Sequence, residues 1–142
     1  MKFSFSWLKD YLETDLSADE VGNVLTDTGL EVESLIDPRK RFGQLSVGEI
    51  LKVEKHPNAD KLKVCEVDTS TGILKIVCGA PNAKKDLLTV YAGPGSIIPK
   101  NNMKLTISKI RGVTSYGMLC SESELNLSEE SGGIAELKSS NY

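Results

Sequence analysis

Long apolar segments are missing from this chain of 142 residues. No run approaches the roughly 20 apolar residues needed to cross a bilayer, and the N-terminus lacks the uninterrupted apolar stretch of a secretory signal. We therefore expect a cytoplasmic protein with no membrane partner. Hydrophobic residues still make up 39% of the chain, which is sufficient for one domain of ordinary size, or for a small domain with an appendage.

Residue types that carry catalysis or bind metals are also scarce. The chain has one histidine, His56, no serine in a nucleophile-elbow pattern, and no glycine-rich loop of the P-loop type. Its three cysteines cannot all pair within one chain, and Cys65 and Cys78 lie in apolar strand patterns, so reduced, buried thiols are the simplest interpretation. A zinc site from the thiols and His56 agrees with the count, but no pair has the close spacing of a zinc ribbon or finger. We expect no catalytic residue and no metal site.

The formal net charge of -3 conceals a strong segregation of charge along the chain. Residues 1–37 hold two bases against nine acids, residues 38–111 hold fourteen bases against six acids, and residues 112–142 hold one base against five acids. A central basic block can present a local positive surface that attracts a polyphosphate. The alternative is a lysine-rich face that is merely solvated.

The first 38 residues have the pattern of a small α+β segment. Ser17 and Glu20 have capping-box spacing, and Gly29 supplies a left-handed stop, so we predict a helix over 18–28 and a shorter one over 6–12. Partial alternation predicts a strand over 30–36, which Asp37 and Pro38 end with a turn.

Beyond residue 38 the pattern changes to short strands separated by turn residues, at approximately 45–55, 61–68, 73–79, 87–92 and 103–111. Five short strands predict a mainly β fold, with a five-stranded barrel of the oligonucleotide-binding (OB) type as the leading candidate. A sandwich or another small barrel also fits the pattern. Ser121 and Glu124 repeat the capping-box spacing and predict a helical turn after the last barrel segment.

Cations cluster where these strands begin and end, and they could contact phosphate oxygens. Arg111 is the strongest candidate, because its planar fork can bind phosphate or stack on a base, although a rim salt bridge is the usual structural role. Asn58 and Asp60 could instead hold a turn, and Met118 could belong to the core. Strand alternation places Lys61 and Lys63 on one face. The predicted RNA-binding residues are Lys55, Asn58, Lys61, Lys63, Lys104, Lys109, Arg111, Ser115 and Met118.

Aromatic residues, at 6% of the chain, are few, and Phe42, Tyr91 and Tyr116 are the ones between residue 38 and the turn near 121. Proteins that bind single strands stack bases on aromatic side chains, at about 1–3 kcal/mol per base. A barrel with so few aromatics is expected to recognise a folded RNA, such as tRNA, through charge and shape.

Three segments, at 56–68, 76–82 and 110–121, resemble the tRNA-binding domain attached to several aminoacyl-tRNA synthetases. They include the sequences HPNADKLKVCEVD, IVCGAPN and IRGVTSYGMLCS. The N-terminal sequences WLKDYL at 7–12 and LTDTGLEVE at 25–33 resemble the opening of bacterial phenylalanine-tRNA ligase beta subunits. Together the similarity extends over nearly the whole chain.

This resemblance implies a noncatalytic N-terminal fragment of a longer subunit. Residues 1–38 would be part of a discontinuous domain that later sequence completes, leaving Leu30, Val32 and Ile36 less well covered here. Residues 39–142 would be an OB-fold tRNA-binding domain with a C-terminal extension. The fragment would have no cofactor, whereas the parent enzyme would use ATP and magnesium and pair with a catalytic alpha subunit as α2β2. The alternative function is a structural or subunit-docking barrel with little RNA contact.

Overall fold

The computed structural model describes residues 1–138, which divide into two compact units. The first unit is Met1–Pro38, and the second begins at Arg39. In the described part of the chain, no helix has the length and apolar character needed to cross a membrane.

The first unit contains two helices, α1 at Phe5–Lys9 and α2 at Ala18–Asp27. The capping box that predicted α2 is formed, because the Ser17 N–H donates to the Glu20 carboxylate at 2.8 Å and the Glu20 N–H donates to Ser17 Oγ at 3.3 Å. The α2 prediction is therefore confirmed. Within residues 1–38, all of which the structure describes, Val21 is the one buried residue.

The strand predicted over 30–36 is wrong, because those residues form neither helix nor strand. A strand needs a neighbour to receive its backbone hydrogen bonds, and no strand lies within residues 1–38. The Val32 N–H instead donates to Thr26 Oγ1 at 3.1 Å. The expected turn at Pro38 begins a short helix, α3 at Pro38–Phe42, since proline suits the first helical position.

The second unit is built on a curled five-stranded antiparallel sheet, and the predicted mainly β fold class is confirmed. The strands in chain order are β1 at Leu45–Lys55, β2 at Lys63–Thr69, β3 at Gly72–Cys78, β4 at Leu88–Ala92, β5 at Ser108–Ile110, β6 at Val113–Ser115 and β7 at Met118–Leu119. The order of the five sheet strands in space is β3-β2-β1-β4-β7. The two remaining short strands, β5 and β6, pair as a separate hairpin.

The long strand β1 is shared by both halves of the sheet. Its first half pairs with β4 and its second half with β2, with a register shift between Ile50 and Lys52. Such a bulge bends a strand and increases its twist, so β1 can curl the sheet around a core. That core includes Ile50, Cys65 and Ile76, each with no exposed surface. A second apolar cluster surrounds Ile98 and Leu125. The three cysteines are buried as free thiols.

The predicted fifth strand over 103–111 differs from the observed chain path. Strand β5 covers just Ser108–Ile110, and the fifth strand of the sheet is β7. The cause is a two-residue turn at Arg111 and Gly112, whose φ angles of 47° and 92° match the tight turns that fold a strand back on itself. The helical turn predicted after residue 121 is confirmed, with the Leu125 N–H donating to the Ser121 carbonyl at 3.2 Å.

Candidate nucleic-acid interface

The chain makes a tight corner between β1 and β2, which we call the corner loop, residues 56–62. His56 is 2% exposed, and its N–H donates to the Leu62 carbonyl at 3.1 Å, which closes the loop. The Asn58 N–H donates to His56 Nδ1 at 3.0 Å. Because Nδ1 accepts this bond, the imidazole proton lies on Nε2, which donates to the Ile110 carbonyl at 3.0 Å.

The corner loop thereby holds the tip of the β5–β6 hairpin. Asn58 Nδ2 donates to the carbonyl of Arg111 at 3.0 Å, next to the carbonyl that accepts from His56. Glycine is favoured at position 112, because φ is +92° and a Cβ there would lie 3.3 Å from Asn58 Nδ2, a tight contact. The cations of these two segments, Lys61, Lys109 and Arg111, therefore belong to one connected surface, and all three are exposed.

A groove of about 940 Å³ runs beside the hairpin. Leu62 from the corner loop and Ile110 from β5 line it, together with Lys104 and Met118. Met118 is half-buried and packs against the second apolar cluster, which favours the core role considered for it from the sequence. Lys104 is exposed and brings a further cation to the same surface.

Four of the predicted contact residues have exposed cationic side chains, and within residues 1–138 no hydrogen bond or ion pair engages them. These residues are Lys61, Lys104, Lys109 and Arg111. We call them the open cations.

Two other predicted contacts have cations that the protein itself occupies. The Lys63 ammonium donates to the carbonyl of Pro81 at 2.9 Å and to that of Ala83 at 3.1 Å. Lys55 forms an exposed ion pair with Asp60 at 3.2 Å. The prediction that Lys61 and Lys63 share a strand face is wrong, because β2 begins at Lys63.

Ser115, another predicted contact, lies inside the protein and is 1% exposed. Its hydroxyl accepts from the Val77 N–H at 3.0 Å and donates to the Gly117 carbonyl at 3.0 Å. With the bond from the Tyr116 N–H to the Lys75 carbonyl, this contact joins β3 to the hairpin side of the unit. Ser115 is therefore engaged inside the protein, where it links β3 to the hairpin.

A second group of cations lies at α3 and was not among the predicted RNA-binding residues. Lys40 and Arg41 line a cavity of about 480 Å³ together with Gln44, Asn102 and Asn126, and no acidic residue lines it. The Arg41 guanidinium lies over the ring of Phe42, 5.6 Å from the ring centroid. The run of three cations at 39–41 was the available signal in the sequence.

The thiol of Cys78 lies in the wall of the groove. A hydrogen bond from the Cys65 thiol lowers the pKa of Cys78 to about 7, helped by the Ala80 N–H, which donates to Sγ at 3.4 Å, and by the nearby Lys63 charge. The same pairing and burial raise the pKa of Cys65. Within the pair, the pKa of Cys78 is therefore lowered and that of Cys65 is raised.

Comparison with known proteins shows the family of the chain. The family described as "Putative tRNA binding domain" matches residues 45–141. The phenylalanine-tRNA ligase beta subunit of Rickettsia prowazekii is 53% identical over 137 residues, which is 96% of this chain and 17% of that relative. The phenylalanine-tRNA ligase beta subunit of Ruegeria pomeroyi is 48% identical over 139 residues, again 17% of its length. This chain thus spans less than a fifth of these relatives.

Among solved structures, a MetRS related protein from Pyrococcus horikoshii superimposes with a TM-score of 0.51 at 22% identity. The match covers 75% of this chain and 92% of that one. At this identity the likeness shows the fold alone.

Proposed function

Because this chain belongs to the family of putative tRNA-binding domains, we propose that it docks tRNA on the surface formed by the open cations. The observation that carries the proposal is the grouping of four exposed cations whose side chains have no hydrogen-bond or ion-pair partner within residues 1–138. Lys104 lines the groove, Lys109 and Arg111 lie on the hairpin, and Lys61 lies in the corner loop that holds its tip. Ammonium and guanidinium groups in this state can bind phosphate oxygens without first breaking an existing bond.

The docking surface acts on the RNA backbone. Within residues 39–138, Tyr116 is the one exposed aromatic residue, so successive bases have no row of aromatic faces on which to stack. Cation–phosphate contacts position an RNA but carry no base identity. The domain should therefore bind a cognate and a noncognate tRNA with similar affinity.

We extend the proposal to a longer protein, on the basis of the relatives' names. The parent would be a phenylalanine-tRNA ligase beta subunit that supports the ATP- and magnesium-dependent attachment of phenylalanine to tRNA(Phe) in the cytoplasm. A catalytic alpha subunit would be its partner, and this domain would contribute RNA affinity without chemistry. Residues 1–38 would belong to a discontinuous domain, with residues 39–142 as the tRNA-binding domain and its extension.

A second candidate function, docking of protein rather than RNA, has support in the first unit. Trp7 is 57% exposed, Leu30 66% and Ile36 79%, although all are large and apolar. Exposed apolar surface of this extent is typical of a region that another protein segment covers. The exposed apolar residues all lie within residues 1–38, so they favour protein docking as the role of that unit. The open cations lie in the second unit, and the proposal of RNA binding for them is unaffected.

The experiment is tRNA binding across a salt series, comparing the wild type with a variant in which all four open cations are replaced by glutamine. A control variant carries glutamine at Lys2, Lys9, Lys52 and Lys75, four exposed lysines that lie outside the groove, the corner loop and the hairpin, so its net charge is the same. We expect salt-sensitive binding that the first variant loses and the control keeps. Equal loss in both variants would show that binding depends on net charge and not on this surface. Absence of wild-type binding at low salt would overturn the proposal.

A further inference from the structure

The bonds between the corner loop and the hairpin tip point to a role for two residues outside the set of open cations. We infer that His56 and Asn58 are positioning residues, which hold the hairpin tip so that the Arg111 guanidinium is presented to RNA. This inference rests on the proposed function, and it places Asn58 behind the RNA-binding surface instead of in contact with RNA.

The Asn58 amide nitrogen and both ring nitrogens of His56 are already engaged with the protein. The Asn58 amide donates to the Arg111 carbonyl, while the buried His56 ring accepts from the Asn58 N–H and donates to the Ile110 carbonyl. Two consecutive carbonyls at the tip are thus fixed by two side chains from one loop. An RNA contact through the Asn58 amide nitrogen would have to compete with the bond to the hairpin.

The hairpin needs such anchors because it is too small to be rigid alone. Strands β5 and β6 have three residues each and form a two-stranded sheet of their own. A two-stranded hairpin is marginally stable in water without packing from elsewhere. Ser115 anchors its far end through the bond to Val77, and the corner loop anchors its tip. Loss of the corner-loop bonds would therefore free the end that carries Arg111.

The backbone of Arg111 supports the same conclusion. Its φ of +47° is disfavoured for a residue with a Cβ, and asparagine or aspartate usually precedes glycine in a turn of this kind. A strained residue persists when surrounding contacts hold it in place. At this tip, the Asn58 bond to the Arg111 carbonyl is such a contact, and the residue so held is an exposed cation at the proposed interface.

The test combines Asn58→Ala with Arg111→Gln in a double-mutant cycle on tRNA affinity. If Asn58 acts through the hairpin tip, Asn58→Ala weakens binding by no more than Arg111→Gln does, for which the loss of a hydrogen bond to a charged group predicts roughly 10- to 150-fold. The double variant should then bind within about twofold of Arg111→Gln alone, because independent effects add and these share one contact. Effects that multiply would show that Asn58 touches the RNA itself, and would overturn the inference.

A second arm needs no RNA and separates this inference from the proposed function. Amide hydrogen exchange in β5 and β6 should be faster in Asn58→Ala, while exchange in β2 and β4 stays at the wild-type rate. Unchanged exchange in the hairpin would refute the anchoring role even if tRNA binds as proposed. If the wild type does not bind tRNA, the proposed function fails, while faster hairpin exchange would still establish the anchor.

His56 provides a conservative variant for the same measurements. In His56→Gln the side-chain amide can replace the donor to the Ile110 carbonyl, whereas His56→Leu supplies no donor. We expect the glutamine variant to keep most of the hairpin protection and tRNA affinity, and the leucine variant to lose both. If His56→Leu does not fold, the comparison of His56→Gln with Asn58→Ala still decides, and equal loss in both would contradict the assigned donor role of His56.

Discussion

Lys61 and Lys63 are two residues apart, carry the same charge, and should respond in opposite ways to mutation. The Lys63 ammonium is half-buried and bound to the carbonyls of Pro81 and Ala83, whereas the Lys61 side chain is exposed and has no partner within residues 1–138. We therefore predict that Lys61→Gln changes RNA binding and leaves stability unchanged. Lys63→Met should lower stability and leave the salt dependence of binding unchanged.

The magnitude for Lys61 follows from counterion release. On a duplex, each phosphate contact makes the slope of log affinity against log salt more negative by about 0.9. Four open cations therefore give a slope of about -3.6. A rise from about 50 to 200 mM salt would weaken the wild type by roughly 150-fold and Lys61→Gln by roughly 40-fold. The assay is a binding titration at several salt concentrations within this range.

The magnitude for Lys63 follows from its two hydrogen bonds. The Ala83 residue is buried, so removal of the ammonium leaves its carbonyl poorly solvated, and we expect a loss of about 2 kcal/mol in the free energy of unfolding. For a domain of this size, the melting temperature should fall by roughly 10 °C.

Matched controls keep this comparison interpretable. Lys52→Gln removes the same charge from β1, where the ammonium is paired with Glu54 at 2.7 Å, and should change neither slope nor stability by a large amount. A slope that falls equally in Lys61→Gln and Lys63→Met would refute the reasoning. Lys63 would then have to leave its loop carbonyls and bind RNA.

Three further predictions concern the scaffold. Gly117→Ala should lower stability by about 2–4 kcal/mol in a denaturant titration, because φ is +113° and the new Cβ would lie 2.3 Å from a backbone oxygen, whereas Gly95→Ala, at φ +91° with open space, should cost about 1 kcal/mol. Iodoacetamide at pH 8 should alkylate Cys78 before Cys65, since the hydrogen bond from Cys65 lowers the pKa of Cys78 to about 7; mass spectrometry showing the reverse order would contradict this assignment. Ser115→Ala should lower the melting temperature without changing the salt slope, and a lower slope would return this residue to the RNA-binding set.

Local patterns in the sequence were reliable where the structure depends on neighbours in the chain. The Ser17 and Ser121 capping boxes form as predicted, because each bond joins residues three apart. Strand β1 agrees with its predicted range, 45–55. The strand over 30–36 failed for the opposite reason, since a strand exists through a partner that the pattern of one segment does not contain.

The hairpin at β5 and β6 was missed because its turn has an unusual first residue. Glycine at 112 was visible in the sequence, but an arginine before it does not indicate a left-handed conformation. The bonds from His56 and Asn58 that hold the tip come from residues more than 50 positions earlier. Such a contact depends on the folded arrangement of the strands and could not be read from the spacing of residues.

For the candidate site, the sequence likewise predicts which residues are charged, but it does not predict which of them have intramolecular partners. The sequence identified the cations, but their partners are set by tertiary contacts, such as Lys63 with carbonyls 18 and 20 residues further along. Counting bases therefore overestimates the number of cations without intramolecular partners, because the ion pair of Lys55 and the bonds of Lys63 remove two of the predicted cations from the open group. The run at 39–41 shows a second shortcoming. The three cations are visible in the sequence, but the cavity that Lys40 and Arg41 line becomes apparent only from the structure.

Four open cations also limit what the domain can achieve alone. Backbone-directed binding by a small basic surface typically has a dissociation constant of about 10⁻⁴–10⁻⁶ M at physiological salt. A domain of this strength is useful when it is joined to other RNA-binding parts, because a second contact within one protein acts at an effective concentration of about millimolar. The proposed place of this chain, as 17% of a longer subunit, supplies that linkage. The contribution of the domain should therefore be larger in the whole subunit than in isolation. In the proposed assembly with its catalytic alpha subunit, the four-cation variant should lose tRNA affinity, while the ATP-dependent activation of phenylalanine expected of that assembly should be unchanged.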